Sequence, residues 1–176
     1  MKKTGDQKPV QVGILMGSDT DLSVMSEAGA TLDKFGIGYE MEVVSAHRTP
    51  MRAHEYATTA ASRGLKALIV GAGAAAHLAG VMAANTTLPV IGVPLATSAL
   101  SGLDALLATV QMPGGVPVAT MAIDKAGAVN AAIFAAEILG LSGREIARKL
   151  EAHKADLAKG VADKNARLQQ QISQKK

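Results

Sequence analysis

Val10-Gln11-Val12-Gly13-Ile14-Leu15-Met16, then Gly17-Ser18-Asp19-Thr20-Asp21, then Leu22, Met25, Ala28, Leu32 and Phe35: this opening decides the fold. A seven-residue apolar run reads as a buried strand. Apolar residues recurring every three and four positions mark one face of a helix, which Gly36 closes. Strand, polar turn, helix is the first half of a parallel crossover unit, and the chain repeats it.

Working outward, Tyr39 to Val44 is the second strand, followed by Ser45-Ala46-His47-Arg48-Thr49. Thr49 as N-cap and Pro50 at the first helical position start a helix that Gly64 ends. Ala67 to Val70 is the third strand, Gly71 to Ala76 a turn, and His77 to Ala84 a short helix. Val90 to Val93 is the fourth strand, stopped by Pro94, and Ser101 to Val110 is helical. Val118 to Ile123 is the fifth strand, and Lys125 to Leu139 an Ala-rich helix. Ser142 and Glu145, at capping-box spacing, open a polar helix running past residue 165. The expected fold is α/β, a three-layer sandwich with a central parallel sheet in the flavodoxin-like manner, plus a C-terminal helical extension. Residues 1–9 are a flexible N-terminus, 10–141 a catalytic α/β domain, and 142–176 a C-terminal helix that packs in an oligomer and frays at its end.

Composition removes several function classes. The chain has 176 residues, enough for one domain, with no cysteine, so a disulfide scaffold and a thiolate metal site are excluded. Two Phe, two Tyr and no Trp leave few rings to stack nucleobases or a flavin. The formal charge of +3 lies at the ends: residues 1–9 carry a net +2, 144–176 a net +5, and 10–143 a net −4. A solvated helix face accounts for that distribution, and nucleic acid is not an expected partner. Met1 to Pro9 is polar, with no apolar signal segment after it. The apolar stretch Ala67 to Ala84 is mostly Ala and Gly and divides into strand, turn and helix, so no membrane span is expected. A soluble cytoplasmic protein is the default. The 33 Ala and 18 Gly bury little area each, so close packing, with a partner subunit's help, is expected.

Ligands of an open parallel sheet bind outside the carboxyl ends of its strands, and three unusual loops follow strands one to three there. Gly17-Ser18-Asp19-Thr20-Asp21 is a helix start that either holds an anion and a sugar hydroxyl or simply caps its helix. It lacks the spacing of a Walker loop. In the second loop, His47 is an imidazole that can move a proton and Arg48 is a forked cation suited to phosphate. The alternative is a surface His and an ordinary ion pair. Gly71-Ala72-Gly73-Ala74-Ala75-Ala76-His77 matches the dinucleotide fingerprint, but the ribose-binding acid about 20 residues on is missing. These glycines suit a small ligand close to the backbone. His77 reads either as a helix-start or core His or as part of the site. His54 and His153 have no partner motif, so no metal site is visible. Asp104 is a first-turn helix acid, and Lys125 a loop or helix-start charge.

Together, residues 16–21, 43–50, 71–78, 89–94, 98–102 and 110–118 closely resemble the PurE family, on its 5-(carboxyamino)imidazole ribonucleotide mutase branch. Ser45-Ala46-His47-Arg48 followed by Gly71-Ala72-Gly73 and Ala76-His77-Leu78 is the specific part. Arg48 favours the mutase branch over the carboxylase branch, which typically carries Lys there. The resemblance implies that a carboxylate moves from the exocyclic nitrogen of an imidazole ribonucleotide to ring carbon 4, with no cofactor and no metal. His47 would be the general acid/base. Gly17, Ser18, Asp21 and Arg48 would bind phosphate and ribose, with Ser45 and Ala46 beside the base. Gly71, Gly73, Ala74, His77 and Leu78 would form the other wall, and the assembly would be a homo-octamer. The alternatives are an aminoimidazole ribonucleotide carboxylase using free carbon dioxide and a catalytically silent nucleotide-binding homologue. The family usually has Ser at Thr20, Gly at Ala74 and Pro at Ala79.

Overall fold

The computed structural model describes residues 9–174, so the expectation for residues 1–8 and the end expected to fray at 175–176 lie outside the described residues. Five parallel strands form one sheet in the order β2-β1-β3-β4-β5: β1 (Val10–Met16), β2 (Gly38–Val43), β3 (Ala67–Gly73), β4 (Val90–Leu95) and β5 (Ala119–Thr120). The order reverses at β1, and the crevice of a doubly wound sheet opens at such a reversal.

The period-two alternation of the strands decides what each face meets. Val12, Ile14, Met16, Ile69, Ile91 and Val93 face α1 (Leu22–Phe35) and α5 (Asp124–Gly140). Leu15, Leu68, Val70 and Val90 face the opposite layer, which holds α2 (Pro50–Ala60), α3 (Leu78–Asn85) and α4 (Leu103–Val110). Ala28 on α1 and Ala128, Ala131, Ala132, Ala135 and Ala136 on α5 are fully buried, so these helices lie close together. The small residues counted in the sequence therefore act as spacing in the helix layer. A last helix, α6 (Arg144–Ser173), starts against α5, and Lys149 on it donates to the Phe35 carbonyl at 3.0 Å.

Five boundaries differ from expectation. β3 continues through Gly71-Ala72-Gly73, because β4 offers a ladder partner as far as Gly73↔Leu95. β4 likewise runs through Pro94. Gly92, two residues earlier, accepts from the Met121 N–H at 2.8 Å, so by strand alternation Pro94 faces the β5 side after β5 has ended, and its missing N–H forfeits nothing. β5 is two residues long rather than six, since the chain turns into α5 at Asp124. The capping box expected at Ser142 and Glu145 is absent: Gly143 stands at the N-cap without a side-chain bond, and Ser142 donates its N–H to the Leu139 carbonyl at 3.3 Å. α4 starts at Leu103 rather than Ser101, because Ser101 and Gly102 have φ of 50° and 86°.

Candidate functional site

The capping box lies instead in the loop after β1. Ser18 caps a single 3-10 turn, Asp19–Asp21, that feeds α1: its hydroxyl accepts from the Thr20 N–H, and the Asp21 carboxylate accepts from the Ser18 N–H at 3.0 Å. This reciprocal pair fixes both side chains. Asp21 is buried, and burial raises its pKa above the ordinary carboxylate value against the pull of the Ser18 and Gly17 N–H groups; Asp19 adds to the rise and Arg48 opposes it.

The loop after β2 is tied by its own side chains. Thr49 precedes Pro50 at the start of α2, as expected, but its hydroxyl serves Ser45: it donates to the Ser45 carbonyl at 3.0 Å and accepts from the Ser45 N–H at 3.1 Å. The Ser45 hydroxyl accepts from the Arg48 N–H at 3.2 Å and from Arg48 Nε at 3.4 Å. The other end of that guanidinium donates to the Gly17 carbonyl at 3.2 Å, joining the second loop to the first. Arg48 is thus no surface ion pair: its fork spans two loops at the sheet's carboxyl edge.

His47 points at the third loop. Its Nε2 lies 2.9 Å from His77 Nδ1, with the rings edge to face and 5.0 Å between centroids. At that distance one of the two nitrogens donates a hydrogen bond and the other accepts it. His77 stands at the N-cap of α3, and both residues are exposed. The strand that leads there needs its glycines: a Cβ on Gly71 would meet Met25 Sδ at 2.4 Å, and one on Gly73 would run into Thr97 Oγ1. Ala74 then turns the chain with φ of 50°, a left-handed value that costs a residue with a Cβ roughly 1–2 kcal/mol.

A cavity of about 190 Å³ opens among these loops. Gly17, Ser18 and Asp21 line it from the first loop, Ser45, Ala46, His47 and Arg48 from the second, and Gly73 and Leu78 from the third. Three expected residues do not line it: Gly71 is buried beneath Met25, Ala74 shapes the turn, and His77 reaches the site through His47. Four lining residues were not foreseen: Thr20, Ala72, Ala75 and Thr97. Thr20 belonged to a recognised loop. Thr97 had a signal, a hydroxyl just past the carboxyl end of an apolar run, which ending the strand at Pro94 obscured. Among the described residues, no three or more His, Cys, Asp or Glu side chains gather as a metal ion would require.

Comparisons with known proteins give the chain its family and its fold relatives. A family model described as AIR carboxylase matches residues 11–160. The chain is 54% identical over 164 residues to the N5-carboxyaminoimidazole ribonucleotide mutase of Pyrococcus horikoshii, covering 93% of this chain and 91% of that one. It is 56% identical over 160 residues to the mutase of Thermotoga maritima, covering 91% and 92%. The crystal structure of Treponema denticola PurE superposes with a TM-score of 0.81 at 26% identity, covering 90% of this chain and 98% of that one. With a fold wound like that of PurE and a family match that takes in every residue lining the cavity, the chain belongs to the AIR carboxylase family.

Proposed function

We propose that this chain is an N5-carboxyaminoimidazole ribonucleotide mutase. The observation that carries the reading is the joining of His47, Arg48 and the Ser18–Asp21 pair around one small cavity, in a chain more than half identical to two enzymes of that name. The 3-10 turn offers N–H groups and hydroxyls to a phosphate, Arg48 offers a fork, and Asp21 accepts from ribose hydroxyls.

Chemically, His47 gives a proton to the exocyclic nitrogen as the bond from that nitrogen to the carboxyl carbon breaks, which frees carbon dioxide. Ring carbon 4 attacks the carbon dioxide, forming the new carbon–carbon bond, and the proton on that carbon returns to His47. The proton count closes on one residue, as the shuttle requires. His77 holds the ring through its 2.9 Å hydrogen bond to Nε2. Carbon dioxide must stay until it is recaptured, and the small residues Ala72, Gly73 and Ala75 leave it a close-fitting wall. None of these steps calls on a metal or a cofactor.

In keeping with this reading we place the enzyme in the cytoplasm as a homo-octamer. Leu103, Leu107 and Val110 along α4, and Leu157, Val161, Leu168 and Ile172 along α6, are exposed and support burial by further subunits. Among the described residues no helix is long and apolar enough to cross a membrane. The test is spectroscopic: offer the carboxyamino ribonucleotide, or the amine with bicarbonate. Isomerisation of the first without added bicarbonate is expected. Turnover only of the second would make the enzyme a carboxylase, and binding without turnover would make it silent.

A further inference from the structure

We propose that Asp124 is a positioning residue for the reaction: its carboxylate fixes the loop after β4 and thereby the Thr97 wall of the cavity. Two observations single Asp124 out. It holds a left-handed φ of 58° at the first position of α5, and its Oδ1 accepts from the Ala96 N–H at 2.8 Å. Along β4 and into the residue after it, positions 92, 94 and 96 face the β5 side. Gly92 meets the Met121 N–H there, Pro94 has no donor, and Ala96 meets Asp124. The carboxylate thus takes the place of the ladder that β5 is too short to supply.

The following residue is where this bond reaches the site. Thr97 lines the cavity, and its hydroxyl occupies the space that a side chain on Gly73 would fill. Thr97 donates its own N–H back to the Leu95 carbonyl of β4 at 3.0 Å, and beyond it the loop is bonded to itself: the Leu100 N–H to the Ser98 hydroxyl at 3.2 Å, the Ser101 N–H to the Ser98 carbonyl at 3.1 Å, the Leu103 N–H to the Leu100 carbonyl at 3.1 Å. Among the described residues, the Ala96–Asp124 bond is the hydrogen bond that ties residues 96–102 to an element other than β4 and α4. Gly102 packs on Ala96 and on Ile123, an apolar contact between this loop and the residue before α5. Releasing Ala96 frees the Thr97 wall to move outward while Arg48 and the Ser18–Asp21 pair stay in place. The consequence is specific: the nucleotide binds as before, and carbon dioxide escapes before it is recaptured.

This rests on the mutase reading, and the experiment separates the two. The full-length enzyme is given nucleotide labelled in its carboxylate, in a medium of unlabelled bicarbonate, and compared with Asp124→Gly and Asp124→Asn. Glycine accepts the left-handed φ and removes the acceptor; asparagine keeps both φ tolerance and acceptor. Asp124→Gly is expected to lose about ten-fold in kcat, to keep the nucleotide Kd within about two-fold, and to lose several-fold more label to the medium. Asp124→Asn is expected to match the wild type on all three. An Asp124→Gly enzyme with wild-type kcat and label retention would overturn the inference, as would equal impairment of both variants. Amide exchange at Ala96 in the wild-type chain is a second reading that needs no variant: protection is expected, and exchange at the rate of an open loop would overturn the inference. If the wild type does not isomerise the nucleotide, the mutase reading falls instead.

Discussion

His47 and His77 share one line of contact, 2.9 Å long, and Arg48 beside them shares two loops. The chemistry of neighbours in sequence therefore divides cleanly. His47→Asn should remove the proton shuttle and reduce kcat by about 10³-fold or more, with nucleotide binding kept within a few-fold; steady-state kinetics with a binding titration checks this. Arg48→Ala should cost a charge-assisted bond of roughly 1.5–3 kcal/mol, weakening nucleotide binding by about 10–100-fold, and an unchanged Kd would remove Arg48 from the site. Ala74 gives a prediction of opposite sign. Its left-handed φ costs roughly 1–2 kcal/mol, while a glycine there would lose more entropy on folding by about 0.5–1 kcal/mol. Ala74→Gly should therefore stabilise the fold by about 0.5 kcal/mol, read from urea denaturation. The identities of these residues were legible in the sequence, and so was their gathering at one sheet edge. The His–His contact was not, because it depends on where α3 begins relative to β2.

At the level of elements, the edge strand β2 is held to α2 by a compact polar group. Tyr56, buried beneath the sheet, donates its hydroxyl to Glu40 at 2.6 Å, and Arg63 meets both Glu40 and the Tyr56 ring. Burial alone would raise the Glu40 pKa, but the Tyr56 and Arg63 bonds outweigh it and hold it below the ordinary carboxylate value. The folded state therefore binds this proton less well than the unfolded chain. The stability so gained is present in full above the unfolded pKa and is lost as pH falls through the folded one. Glu40→Gln should flatten the acid side of the stability profile between those two values, measured by denaturant melts below pH 5; an unaltered acid limb would remove Glu40 from the account. Element type and order were readable from periodicity, since 2.0 and 3.6 are hard to confuse over seven residues or more. The strand ends were not. Gly71-Ala72-Gly73 and Pro94 carry turn chemistry by composition, and only the presence of a ladder partner on one side, or its absence on the other, decides that they are strand.

For the whole molecule, a sheet filled by alanine-spaced helices leaves α4 and α6 with leucines in water: Leu107 is 49% exposed and Leu157 58%. Subunit association should cover them, and light scattering should find a particle of eight 18.0 kDa chains, whereas a monomer would contradict the octamer. Overall charge, by contrast, says little about function, since its basic excess sits in the N-terminal residues and along α6 while the cavity uses one arginine. For the proposed mutase the central claim is that a carboxylate leaves nitrogen and returns to carbon without leaving the protein. The direct measurement is to supply nucleotide labelled with carbon-13 in its carboxylate, in a large excess of unlabelled bicarbonate, and to determine the label in the product by mass spectrometry. The account predicts product that retains nearly all of the label. Product carrying carbon from the medium would contradict it.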